Sequence, residues 1–149
     1  VNRLVAGLKL LEVPMIVTQQ YTKGIGMTIP SVIETFGEDF KYMEKTSFGV
    51  YGEAPIKEAV DGLGKKNIIV CGTETHVCVL QTCIQLKEAG YQPILVTDAA
   101  GSRHAEDRKF GIKRAIQEGV IVTTYEALLF ELMGGSTCPV FRQISKIVK

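Results

Sequence analysis

A cysteine stands where a strand gives way to a helix. The stretch Gly72-Thr73-Glu74-Thr75-His76-Val77-Cys78-Val79-Leu80-Gln81-Thr82 follows directly on the apolar run Asn67-Ile68-Ile69-Val70-Cys71. This pattern predicts a strand that ends at Gly72, a tight connection, and a helix over 77–89 with Cys78 near its first turn. A thiol at that place faces the positive end of the helix, which favours the thiolate, the nucleophilic form of cysteine. Cys78 is therefore the candidate nucleophile. The alternative is a buried, inert core cysteine, common for this residue type. His76 lies too close along the same turn to be aimed at the sulfur and reads as structural or pocket-lining.

The elements that must position this residue follow from hydrophobic period. Apolar runs predict strands over 13–18, 67–71, 93–97 and 120–123, with a weaker one over 40–43. Their near-continuous Val and Ile content fits strands covered on both faces, the mark of a parallel sheet. Helical patterns fall between them. Leu4, Leu8 and Leu11 share one face of an N-terminal helix, and further helices are predicted over 107–117, 126–133 and 141–148, with Gly90, Gly119 and Gly134-Gly135 as stops. Strand and helix alternate through short connections, which predicts an open α/β sheet with right-handed crossovers. In such sheets the active crevice lies beyond the carboxyl ends of the strands. Three groups converge there: Thr18-Gln19-Gln20-Tyr21, the segment from Glu74 to Cys78, and the segment from Asp98 to Arg103. The aromatic residues Tyr21, Phe48 and Tyr51 are candidates for lining the pocket, with ordinary packing as the alternative.

Composition narrows the partners. The 149 residues suit one domain, and a chain of this size buries roughly two thirds of its unfolded surface. Its 17 basic and 16 acidic residues are interspersed and give a formal net charge of +1, so charge alone steers it toward neither nucleic acid nor an anionic membrane. A small-molecule substrate is the expected partner. No apolar run approaches the roughly 20 residues of a membrane-spanning helix. The spacing of Cys71, Cys78 and Cys83 fits no common zinc pattern and there are only two histidines, His76 and His104, so no metal is expected. Reduced thiols and an intracellular setting, cytoplasmic or mitochondrial, are expected from the same cysteines. The chain opens Val1-Asn2-Arg3-Leu4-Val5 without Met, so an upstream segment is expected and targeting cannot be read.

With these motifs in view, the chain resembles the isochorismatase-like, or cysteine hydrolase, superfamily, in its metal-free branch that includes proteins labelled mitochondrial-associated ribonucleases. The resemblance runs from Leu11-Glu12-Val13-Pro14 and Thr18-Gln19-Gln20-Tyr21 through Glu44-Lys45-Thr46-Ser47-Phe48 to the Cys78 motif and Asp98-Ala99, Ser102-Arg103. It implies a Rossmann-like three-layer α/β/α fold with a mainly parallel sheet of about six strands, residues 1–149 forming one domain that lacks its first strand. It also implies an Asp, Lys and Cys triad in which Cys78 matches the nucleophile and Lys45 the lysine, while the Asp falls upstream of Val1. A non-proline cis peptide is implied at Thr73–Glu74, with the backbone N–H groups of Glu74 and Cys78 forming an oxyanion hole. Gln19, Gln20 and Tyr21 replace the Asp and His ligands of the nicotinamidases, so neither metal nor cofactor is expected. The implied activity is hydrolysis of a C–N bond in a small amide through a cysteine acyl-enzyme, in a homo-oligomer. The rival readings are a ribonuclease-type activity and a non-catalytic scaffold that keeps the fold.

Overall fold

The computed structural model describes residues 1–149, and its strands run parallel in two ladders. Strand β1 (Val17–Gln20) pairs with β2 (Tyr42–Lys45); β3 (Asn67–Thr73) pairs with β4 (Gln92–Gly101), which pairs with β5 (Ile121–Thr123). Five strands are present where about six were expected. The first begins later than the apolar run predicts, because the Val13 N–H bonds back to the Leu8 carbonyl (3.0 Å) and Pro14 has no N–H for a ladder. The second is likewise displaced, since the Phe40 N–H closes a 3₁₀ turn onto the Gly37 carbonyl (3.1 Å). That displacement makes Lys45 the last residue of β2.

Eight helices accompany the strands: α1 (Asn2–Leu10), the single turn α2 (Thr22–Ile25), α3 (Pro30–Phe36), α4 (Ala54–Gly62), α5 (Leu80–Glu88), α6 (Ala105–Gln117), α7 (Tyr125–Met133) and α8 (Phe141–Val148). The expected helix over 77–89 is shorter at its start. Residues Thr75–Val79 form a π-helical turn, and α5 begins only at Leu80. Cys78 thus sits in a widened turn rather than in the first turn of an α-helix.

Two apolar layers enclose the longer ladder. Along β4, Leu95 and Val96 are both fully buried and, as neighbours in a strand, face opposite sides. Leu95 joins Val60 of α4, Cys83 and Leu86 of α5 and Ala115 of α6, whereas Val96 joins Leu4 and Leu8 of α1, Leu128 and Leu129 of α7 and Ile144 of α8. Each such Leu or Val side chain contributes about 1.5–3 kcal/mol by leaving water. This is the three-layer α/β/α arrangement, with β4 as its centre. No helix is long and apolar enough to cross a membrane.

Candidate active site

The turn that carries Cys78 is set by a break in β3. The β3–β4 register shifts between Val70 and Gly72, and Gly72 adopts φ +118°, a conformation open to glycine but costly for other residues. The Thr73–Glu74 peptide is cis. Beyond it the Glu74 carbonyl accepts from the N–H groups of Val77 and Val79 (3.2 Å each), while the Glu74 N–H makes no hydrogen bond within the chain. The far end of β4 braces the turn: buried Thr75 donates from Oγ1 to the Gly101 carbonyl (2.9 Å) and from N–H to Ser102 Oγ (3.2 Å). His76 Nδ1 lies 3.1 Å from the same Ser102 Oγ, with the Glu74 and Asp107 carboxylates each 3.8 Å from its ring nitrogens. Glu74 accepts the Arg103 N–H (3.0 Å) and lies 3.7 Å from its guanidinium, so Arg103 anchors the loop as an ion pair. Helix α6 closes against the turn at Gly111, where a Cβ would fall 2.9 Å from the His76 Cα.

Lys45 reaches the thiol from the other ladder. It is only 5% exposed, and its Nζ donates to Gln20 Oε1, to the Ser47 carbonyl (2.9 Å) and to the Phe48 carbonyl (2.7 Å). Burial pushes its pKa below the ordinary lysine value, while the neighbouring Cys78 thiol, and less strongly Glu53, favour its charged form. The loop beyond Lys45 is held by Glu53, whose Oε1 accepts the N–H groups of Thr46 (2.8 Å) and Ser47 (2.9 Å) and the Thr46 hydroxyl (3.1 Å). Those bonds hold the Glu53 carboxyl down at about 2.

The three aromatic candidates fall in different places. Phe48 is exposed and belongs to the Lys45 loop through its carbonyl. Tyr21 is half-exposed at the end of β1, in a left-handed backbone conformation (φ 31°), with its ring laid over Gly24. Tyr51 directs its hydroxyl to Asp61 Oδ1 (2.7 Å), an oxygen that Tyr91 also bonds (2.6 Å). Its phenol is tied to α4 rather than to the thiol. Glu53 is the site residue that sequence reasoning missed; Gln20 and Ser102 were placed at the crevice, but not their bonds to Lys45 and to Thr75 and His76.

All four thiols are free. Burial pushes the Cys83 thiol up to about 12 and raises that of Cys71. Cys78 differs in having a lysine beside it and a free backbone N–H nearby in the same turn. A cation, a thiol and a backbone donor are the equipment of acyl transfer through sulfur.

Residues 1–127 match the Isochorismatase domain family. The chain is 36% identical over 146 residues to Isochorismatase domain-containing protein 2 of Xenopus laevis, covering 98% of this chain and 70% of that protein. Among solved structures it is similar to the MAR1 ribonuclease of Caenorhabditis elegans, with a TM-score of 0.90, 39% identity, and coverage of 99% of this chain and 75% of that one. The fold is shared with the YcaC gene product of Escherichia coli, described as an octameric hydrolase of unknown specificity, at a TM-score of 0.89 and 24% identity over 97% of this chain and 71% of that one.

Proposed function

This chain belongs to the isochorismatase family, and from that premise we propose that it is a cysteine hydrolase cleaving a C–N bond of a small amide. The observation that carries this reading is the buried Lys45 beside the Cys78 thiol. In the proposed cycle the Cys78 thiolate attacks the amide carbonyl, forming a C–S bond and an oxyanion that the Glu74 and Cys78 N–H groups receive. The C–N bond then breaks and the amine leaves with the proton first taken from the thiol. Water hydrolyses the thioester, releasing the acid and restoring the thiol. Tyr21 and Phe48, both exposed near Lys45 or the end of β1, are proposed to border the substrate. We further propose that the protein works as a homo-oligomer, as the octameric Escherichia coli protein does.

A ribonuclease reading stands second and rests on the name of the Caenorhabditis elegans protein. The near-neutral charge gives it no phosphate-tracking stripe. One experiment separates the two: the full-length protein and its Cys78→Ser variant are incubated with a panel of small primary amides, read as ammonia release, and with RNA. Ammonia release lost by at least about a hundredfold in Cys78→Ser is the expected result. RNA cleavage that survives the substitution, with no amide turned over, would favour the ribonuclease.

A further inference from the structure

We infer that Gln20 is a positioning residue for Lys45: its side-chain oxygen takes one N–H of the ammonium and so fixes where that charge meets Cys78. The inference rests on the reading of Cys78 as the nucleophile.

Four observations lead to it. Gln20 and Lys45 are the last register partners of the parallel β1–β2 pair, so they stand side by side at the carboxyl ends of both strands. The Gln20 amide is not free to flip, because its Nε2 donates to the Thr46 carbonyl (2.8 Å) and thereby leaves Oε1 turned to Lys45. An ammonium has three N–H donors, and the Gln20, Ser47 and Phe48 oxygens take all of them. Lys45 is therefore held in a fixed direction beside the sulfur. Finally, the neighbouring glutamine does a separate task. Gln19 faces the other side of the strand, where Oε1 accepts the Thr28 N–H (2.9 Å) and hydroxyl (2.8 Å) and Nε2 bonds Thr22 Oγ1. Strand alternation thus separates fastening of the 22–28 loop from fastening of the lysine.

The ionisable groups that bear on this corner are Lys45 of β2, Glu53 behind its loop, and Cys78 with His76 and Glu74 in the nucleophile turn. Glu44 is engaged elsewhere, accepting the Thr22 N–H (2.7 Å). Without Gln20 the buried ammonium loses one of its three acceptors and its fixed direction, so its charge supports a thiolate beside it less well.

The test is the pH profile of Cys78 alkylation by limiting iodoacetamide, mapped to peptides, in wild type, Gln20→Met, Lys45→Met and the double variant. Gln20→Met should move the midpoint up by about half a unit or more, and should add nothing further once Lys45 is gone, as expected of a residue acting through another. A wild-type midpoint in Gln20→Met, or a full shift that persists in the Lys45→Met background, would overturn the inference. Should Gln20→Met not fold, Gln20→Asn, which keeps the amide but withdraws it by one carbon, should shift the midpoint in the same direction; no shift there overturns the inference as well. Failure of the underlying reading looks different: Cys78 of the wild type would then react no faster than Cys138.

Discussion

At the scale of single residues the site turns on how a charge is kept where water is scarce. Lys45 holds its ammonium by donating to three oxygens, two of them main-chain carbonyls of the loop that follows it. Lys45→Met removes the donor and leaves those oxygens without a partner, so unfolding in urea should show a loss of about 1–3 kcal/mol; a variant as stable as wild type would mean that the oxygens find water at no cost. Cys78 was legible in the sequence because a thiol one short turn beyond a Val and Ile run and a glycine is a local pattern. Lys45 was legible only through the family resemblance, and Gln20 not at all as its partner. Their pairing depends on a strand register, and register is a tertiary fact: with β2 expected over 40–43, Lys45 fell outside the strand. Ser102 was placed at the crevice, but its bond to the Thr75 N–H was not readable for a similar reason, since it joins residues 27 positions apart.

At the scale of elements, the loop between β2 and α4 depends on one carboxylate. Glu53 gathers two main-chain N–H groups and a hydroxyl at the loop's start, close behind Lys45. Its folded value of about 2 lies below the 4.5 of an unperturbed glutamate, so the unfolded state binds the proton more tightly. The stabilisation is therefore fully present above pH 4.5 and is lost as pH falls toward 2. Glu53→Gln should be less stable than wild type at neutral pH, and the gap between them should close across that window, as followed by circular dichroism during acid titration. A gap that is constant with pH would contradict the assignment. The long strands and the Gly-stopped helices were readable because their period and punctuation lie within the chain. The short helices α3 and α4 were not, since Ile56 and Val60, the two buried residues of α4, give a single i, i+4 repeat. The π-helical turn was also missed: nothing in the pattern of Thr75–Val79 distinguishes a widened turn from the start of an α-helix.

For the molecule as a whole, the parallel sheet and its two helical layers place Cys78, Lys45 and the Glu74 N–H at the carboxyl ends of β2 and β3, where an α/β sheet opens its crevice. That much was expected from alternation of strand and helix. The distribution of apolar side chains over the surface was not, because exposure follows from packing. Ile25 at the end of α2 and Met27 and Ile29 just beyond it are 70%, 51% and 62% exposed, close along the chain to Tyr21, a cluster of the kind that marks contact with another chain. Sedimentation equilibrium should give a mass several times that of one chain, and Ile25→Asp with Met27→Asp should reduce it. A single-chain mass at every concentration would contradict the proposed oligomer.

The proposed chemistry rests on the Cys78 sulfur. Brief, limiting iodoacetamide near pH 6.5, with the product mapped to peptides, compares all four cysteines in a single sample of the folded protein. Burial raises the thiols of Cys71 and Cys83, and Cys138 is a free, half-buried thiol outside the site that serves as the reference. Cys78 should be labelled at least about tenfold ahead of the others, with a matching loss of that lead in Lys45→Met. Labelling of Cys78 no faster than that of Cys138 would contradict the proposed chemistry.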